Sequence, residues 1–153
     1  DRSLLKKSPF ELSGGQKRRI AIAGVLAMEP EILVLDEPTV GLDPKGQHDM
    51  MELFNDIHEN LGITVILISH QMDIVLKYAD EVKVIKAGEI VAEDKPVNIF
   101  TNNELLNQTH LEPPNIIKLQ QAVEAKYDMK FDQIATSEEM FKDMYEKQVK
   151  PHD

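Results

Sequence analysis

The chain has no cysteine, which excludes disulfides and thiolate metal sites and fits a reducing compartment. No apolar run approaches the roughly 20 residues a membrane-spanning helix needs, and no signal peptide is read at its start. Positive charge is scarce: 17 Lys and Arg stand against 27 Asp and Glu, a net charge of −10. Neutralising a phosphate backbone takes a basic face, so this balance argues against a nucleic-acid partner, although small basic patches stay possible. An initiator Met is also missing; the opening at Asp1 suggests a piece of a longer protein. What is present suits a folded domain. The 153 residues fit one ordinary domain, and a hydrophobic share of 42% is too high for a disordered chain. A soluble or peripheral, intracellular protein is expected.

Periodicity orders the elements. After a basic lead-in ending at Ser8-Pro9-Phe10-Glu11-Leu12, a helix is predicted from Ser13 to about Met28, stopped by Glu29-Pro30. The run Ile32–Leu35 predicts a strand buried on both faces. Asp43 is a good N-cap and Pro44 a good first residue for a helix with Met50, Phe54, Ile57 and Leu61 on one face, closed by Gly62. A second buried strand over 63–68 precedes Ser69-His70, and a short helix covers about Met72 to Tyr78. A hairpin is predicted from 81–86 and 89–93 around Ala87-Gly88. Strands alternating with helices imply an α/β parallel sheet. From Asn98 to His110 the chain is polar and helical in character. A helix over 115–127 is expected to bury Ile116, Leu119 and Val123. Thr136-Ser137-Glu138-Glu139 reads as a capping box for a last helix with Met140, Phe141, Met144 and Tyr145 along one side, fraying from Gln148.

Four motifs carry chemistry. Ser13-Gly14-Gly15-Gln16 lies at a helix start, where unpaired N–H groups and a partial positive charge suit a phosphate and two glycines admit its close approach. Asp36 and Glu37 end a buried strand, at the sheet edge where α/β ligands bind. Asp36 could hold Mg²⁺ through water, and Glu37 could polarise an attacking water. Gly41-Leu42-Asp43-Pro44 is a helix entry. His70, after the second strand, could hydrogen-bond a terminal phosphate or its attacking water. Each motif taken alone has a plainer account: a Ser N-cap with a flexible turn, two acids solvating a strand end, a cap, an ordinary His.

Their order changes the weight. Leu-Ser-Gly-Gly-Gln-Lys-Arg-Arg from Leu12, Ile-Leu-Val-Leu-Asp-Glu-Pro-Thr from Ile32, Gly-Leu-Asp-Pro from Gly41 and Ser-His from Ser69 resemble the signature, Walker B, D-loop and H-loop motifs of the ATP-binding-cassette ATPases. The resemblance implies ATP and Mg²⁺ as cofactors. It implies that Ser13, Gly14, Gly15 and Gln16 grip the γ-phosphate of an ATP on a second ATPase subunit. Asp36 would support Mg²⁺, Glu37 would be the general base, Asp43 would contact the companion subunit, and His70 would sense the γ-phosphate. Glu37-Pro38-Thr39-Val40-Gly41-Leu42-Asp43-Pro44 looks like the importer type; the Asn-His before Leu-Asp of the ribosome-associated branch and the heptads of chromosome-organising ATPases are not seen. Ser8-Pro9-Phe10-Glu11-Leu12, 91–96 and Leu111-Glu112-Pro113-Pro114 are similar to the ATPase subunits of energy-coupling-factor (ECF) importers of vitamins and metals. Those work in pairs, peripherally on the cytoplasmic side of the cell membrane, with a transmembrane coupling protein and a substrate-binding membrane protein.

The sequence departs from the family in having no Gly-x-x-x-x-Gly-Lys-Ser/Thr; no Gly-Lys pair occurs at all. The resemblance therefore implies an incomplete P-loop NTPase fold: parallel strands with flanking helices, a C-terminal β-hairpin and a C-terminal helical extension. Residues 1–95 would be the C-terminal part of the nucleotide-binding domain, and residues 96–153 a helical extension serving dimerisation or simply packing on the chain's own core. The family's P-loop strand lies between the H-loop strand and the hairpin, so strands 63–68 and 81–86 are expected not to be neighbours, and the isolated chain is expected to fold poorly and hydrolyse no ATP. The alternatives are a non-catalytic truncated interaction module and a soluble cassette ATPase without a membrane partner.

Overall fold

Residues 8–149 are described by a computed structural model, in which the chain forms two compact units, one ending at Ser69 and one beginning at His70. Three of the four motifs lie wholly in the first unit. Ser8 caps a 3-10 turn over Pro9–Glu11: its hydroxyl accepts from the Phe10 N–H at 3.4 Å, and its own N–H donates to Glu11 Oε2 at 2.8 Å. Helix α1 (Gly14–Leu26) follows, then strand β1 (Ile32–Asp36), helix α2 (Pro44–Leu61) and strand β2 (Thr64–Ile68). Asp43 caps α2 by accepting from the Gly46 N–H at 2.9 Å, and Gly62 ends the helix in the left-handed region that glycine adopts without strain.

Strands β1 and β2 pair in parallel, with Ile32 opposite Thr64 and Asp36 opposite Ile68. The expectation of strands buried on both faces is corrected here. Leu33 and Leu35 are buried, but Ile32 and Val34 are 56% and 58% exposed, and Ile66 and Ile68 are about half exposed. Side chains alternate across a strand, so helices covering one face bury every second residue. Among the described residues the other face of this pair is left open. Helix α2 buries Met50, Met51, Phe54 and Ile57, while Leu61 is 62% exposed; the apolar stripe is wider than the periodicity predicts and ends a turn sooner.

The second unit opens with helix α3 (Met72–Tyr78), then strands β3 (Val82–Lys86) and β4 (Glu89–Asp94), which form an antiparallel hairpin. Ala87 and Gly88 both have positive φ, as the tightest hairpin turns require. As expected, β2 and β3 belong to separate sheets. Helices α4 (Pro96–Thr101), α5 (Asn103–Thr109), α6 (Asn115–Tyr127) and α7 (Glu138–Val149) complete the unit. The segment expected as one polar helix is two, divided at Asn102, whose side chain accepts from the Leu105 N–H at 3.1 Å. One apolar cluster joins Val75, Leu76 and Val84 to Ile99, Phe100, Leu106, Ile117, Phe131 and Phe141, across the change of composition near Pro96.

Two further expectations are corrected in this unit. In α6 the buried residues are Ile116, Ile117, Gln120 and Glu124; Val123 is half-buried and Leu119 is 48% exposed. The helix turns the Gln120 amide and the Glu124 carboxylate inward because the segment after it needs partners for its backbone. Gln120 accepts from the Ala135 N–H at 2.8 Å and donates to Gln133 O at 3.0 Å, and Glu124 accepts from the Phe131 N–H at 3.0 Å. At α7 it is the Ser137 hydroxyl that accepts from the Met140 N–H, at 3.1 Å; the helix is described to Val149, with Gln148 Nε2 donating to Lys130 O at 2.7 Å, and the remainder of the tail expected to fray lies outside the described residues. Phe141 is buried, and Met144 and Tyr145 pack beside it on the unit's own core. None of the described helices is long and apolar enough to cross a membrane.

Candidate functional site

Ser13 sets the front of α1. Its hydroxyl oxygen accepts from the Gln16 N–H at 3.2 Å, while Gln16 Oε1 accepts from the Ser13 N–H at 3.0 Å. This reciprocal cap fixes where the helix begins, and the first amides of a helix have no intrahelical acceptor. Packing does not demand the two glycines. A Cβ on Gly14 would meet nothing within 4 Å, and one on Gly15 would only touch Leu42 Cδ2 at 4.0 Å. The space before the helix end is open, which is what an anion there requires.

Asp36 ends β1, exposed, opposite Ile68. The ladder continues one residue further: the Glu37 N–H donates to Ile68 O at 2.9 Å. Glu37 is half-buried with φ of 46°, a left-handed backbone that costs a non-glycine residue about 1–2 kcal/mol. Main-chain bonds thereby hold the backbone from which its side chain projects. The segment from Glu37 to Asp43 is a tight loop held by Val40 N–H to Glu37 O at 3.3 Å and Leu42 N–H to Thr39 O at 3.2 Å, with Thr39 buried beneath it.

Among the described residues no group of three or more His, Cys, Asp or Glu is placed to hold a metal ion by itself. Mg²⁺ seldom needs such a cage, since it keeps waters and takes one or two carboxylates beside phosphate oxygens; a lone Asp36 fits that use. Ser13–Gln16, Asp36, Glu37 and Asp43 share the first unit, and Leu42, in the loop that leads to Asp43, lies 4.0 Å from where a Cβ on Gly15 would stand. His70 is exposed and stands at the start of the second unit.

Two residues of this region have roles that the motifs do not reveal. Arg18, one turn into α1, donates from Nη1 to Pro38 O at 2.5 Å and to Val40 O at 3.1 Å. In the sequence it is simply the middle of a basic run. Gly46 is required because a Cβ there would lie 2.7 Å from Asp43 Oδ1 and displace the cap; the signal was a glycine in the first turn after Asp-Pro. A surface depression of about 380 Å³, lined by Gln133, Ser137, Met140 and Lys147 among others, holds none of the candidate residues.

A family model described as "AAA domain, putative AbiEii toxin, Type IV TA system" matches residues 6–76, the stretch that bears all four motifs. The energy-coupling factor transporter ATP-binding protein EcfA2 of Staphylococcus saprophyticus is 45% identical over 94% of this chain and 50% of its own length. The chain thus spans about half the length of the curated relatives it matches. Among solved structures, cbiO1 of Clostridium perfringens, part of the ABC transporter complex cbiONQ, is 42% identical over 77% of this chain and 46% of its own, with a TM-score of 0.60. The dimeric post-hydrolysis cassette MJ0796, bound to ADP and Pi, is 33% identical over 63% of this chain and 41% of its own, with a TM-score of 0.54.

Proposed function

We propose that this chain, a member of the ATP-binding-cassette ATPases of the energy-coupling-factor type, is the signature-bearing portion of a subunit that couples ATP hydrolysis to import of vitamins or metal ions. The reading is carried by one observation above all: Arg18, on the helix that Ser13 caps, donates to Pro38 O and Val40 O, so the glycine-fronted helix and the loop running from Glu37 to Asp43 are parts of one body. The names of the relatives, as transporter ATP-binding proteins and as part of a transporter complex, support the same class.

The chemistry of each side chain follows from its bonds. The Ser13 oxygen already accepts from Gln16, so its proton is left to donate to a phosphate oxygen, beside the Gly14 and Gly15 amides and the helix dipole. These residues act on a nucleotide held by a companion subunit. Glu37, fixed through Ile68, takes a proton from the attacking water of its own subunit's nucleotide, and His70 orients that attack. Asp36 would hold Mg²⁺, and the bound ion would supply charge neutralisation on the phosphates. Asp43 spends one oxygen on its cap and offers the other to the companion subunit. The Gly-Lys loop that holds a subunit's own phosphates belongs to the longer parent protein, which works as a pair on the cytoplasmic face of the membrane, with a transmembrane coupling protein and a substrate-capturing membrane protein. The test is to express that parent and offer Mg-ATP. Nucleotide-dependent pairing and hydrolysis are expected; a parent that neither pairs nor hydrolyses overturns the reading.

A further inference from the structure

Arg18 is half-buried and uses one nitrogen twice. Nη1 donates to Pro38 O at 2.5 Å and to Val40 O at 3.1 Å, two carbonyls of the loop that starts at Glu37. The loop's own turn, closed by Val40 N–H to Glu37 O, brings both carbonyls within reach of one guanidinium nitrogen. A charged donor to a backbone carbonyl is stronger than a neutral one, and a planar fork loses little freedom in making two such bonds. Near the front of the same helix, a Cβ on Gly15 would stand 4.0 Å from Leu42 Cδ2 of the same loop. The helix that presents Ser13–Gln16 and the loop that presents Glu37 and Asp43 are therefore neighbours joined by a charged double hydrogen bond.

We propose that Arg18 is a positioning residue that locks the Glu37–Asp43 loop to the signature helix, so that a shift of the helix as it closes on a companion's nucleotide is passed to the Glu37 backbone. The inference rests on the function read above. Glu37 sits on a left-handed backbone, a conformation that persists only when its surroundings hold it. Losing the Arg18 bonds frees the two carbonyls that follow it. Substrate grip uses Ser13, Gly14, Gly15 and Gln16, whose cap does not involve Arg18.

The experiment uses the full-length parent with its companion subunit and measures ATP hydrolysis, KM for ATP and nucleotide-dependent pairing. Arg18→Ala is expected to lower kcat by about 10- to 100-fold, the cost of a small misplacement of a reacting group, with KM and pairing held within about twofold. Arg18→Lys keeps a charged donor for one carbonyl and is expected to recover part of the loss. Wild-type kcat in Arg18→Ala, no recovery with Lys, or loss of pairing together with a raised KM would each overturn the assignment; the last would make Arg18 part of the grip. Should the Ala chain not fold, Arg18→Lys alone decides, with reduced kcat at unchanged KM expected and wild-type kcat contrary to it. A wild-type parent without ATPase activity sinks the functional reading, a result separate from any of these.

Discussion

The unit ending at Ser69 and the unit beginning at His70 divide chemistry and burial unequally. The first holds the glycine-fronted helix, the acid pair and the capped loop, yet Ile32, Val34, Ile66 and Ile68 leave an apolar sheet face open. The second holds one His of the candidate set and a continuous cluster from Val75 to Phe141 that includes Phe100 and Ile117, each 1% exposed. A catalytic edge is useful only if substrate and a companion can reach it, so the residues around it are held by caps and main-chain bonds. A scaffold unit has no such demand and can bury its apolar side chains. Substitutions in the first unit are thus expected to fall mainly on turnover, and substitutions in the second on folding.

The largest effect tests the first half of that contrast. In the full-length parent, Glu37→Gln is expected to slow ATP hydrolysis by about 10²–10⁴-fold, the usual worth of a general base, with nucleotide-dependent pairing preserved. Steady-state hydrolysis and light scattering measure the two. A fall of this size from a substitution in the cluster of the second unit, with folding intact, would break the contrast.

The second test sets two apolar truncations side by side. Phe100→Ala in the second unit is expected to cost about 3–5 kcal/mol of folding stability, through lost transfer energy and a cavity. Val34→Ala, at a side chain 58% exposed, is expected to cost less than about 1 kcal/mol in the 153-residue chain. Urea denaturation, followed by hydrogen exchange so that each unit reports itself, measures both. The Val34 cost should rise in the longer parent if a further segment covers that face; equal costs in the two settings would show the face to be a true surface.

The sequence is informative about these regions for different reasons. In the first unit the placement of the candidate residues was readable because each motif is contiguous and its spacing is set by local rules: Ser13 and Asp43 cap helices, and Asp36-Glu37 ends a strand. What escaped was reach. Arg18 acts 20 and 22 residues away, and no local pattern marks which member of Lys17-Arg18-Arg19 turns inward. In the second unit α3 and α6 were predicted to the residue, but the inward face of α6 was not. Periodicity counts apolar residues, and Gln120 and Glu124 go inside to satisfy the backbone of 131–135, a demand that exists only after the chain has folded back. The break at Asn102 was hidden likewise, because an Asn can end one helix and cap the next within a polar run.

Gln120 gives the third test. Gln120→Ala leaves the buried Ala135 N–H without its acceptor and is expected to cost about 1–3 kcal/mol, less than Phe100→Ala but more than any exposed substitution in the first unit. Loss of exchange protection at the Ala135 amide, before the rest of the unit opens, would mark the mechanism.

Glu124 sharpens the comparison with the smallest effect, through pH. Burial opposes its charge, but the Phe131 N–H, Gln120 and Lys130 outweigh that and hold its carboxyl below the ordinary value of 4.5. A folded state that binds the proton less readily than the unfolded chain gains stability as pH rises. The contribution is therefore complete above about pH 4.5 and is lost as pH falls through the lowered folded value. All three tyrosines, Tyr78, Tyr127 and Tyr145, lie in the second unit, and the chain has no tryptophan, so tyrosine fluorescence reports on that unit alone. Wild-type chain is expected to lose stability by this signal across the acid window. Glu124→Gln, which keeps an acceptor for the Phe131 N–H and does not titrate, is expected to start less stable at neutral pH and to change less. An acid limb of the same steepness in both proteins would place the acid sensitivity elsewhere and detach it from the polar clamp between α6 and the segment that follows it.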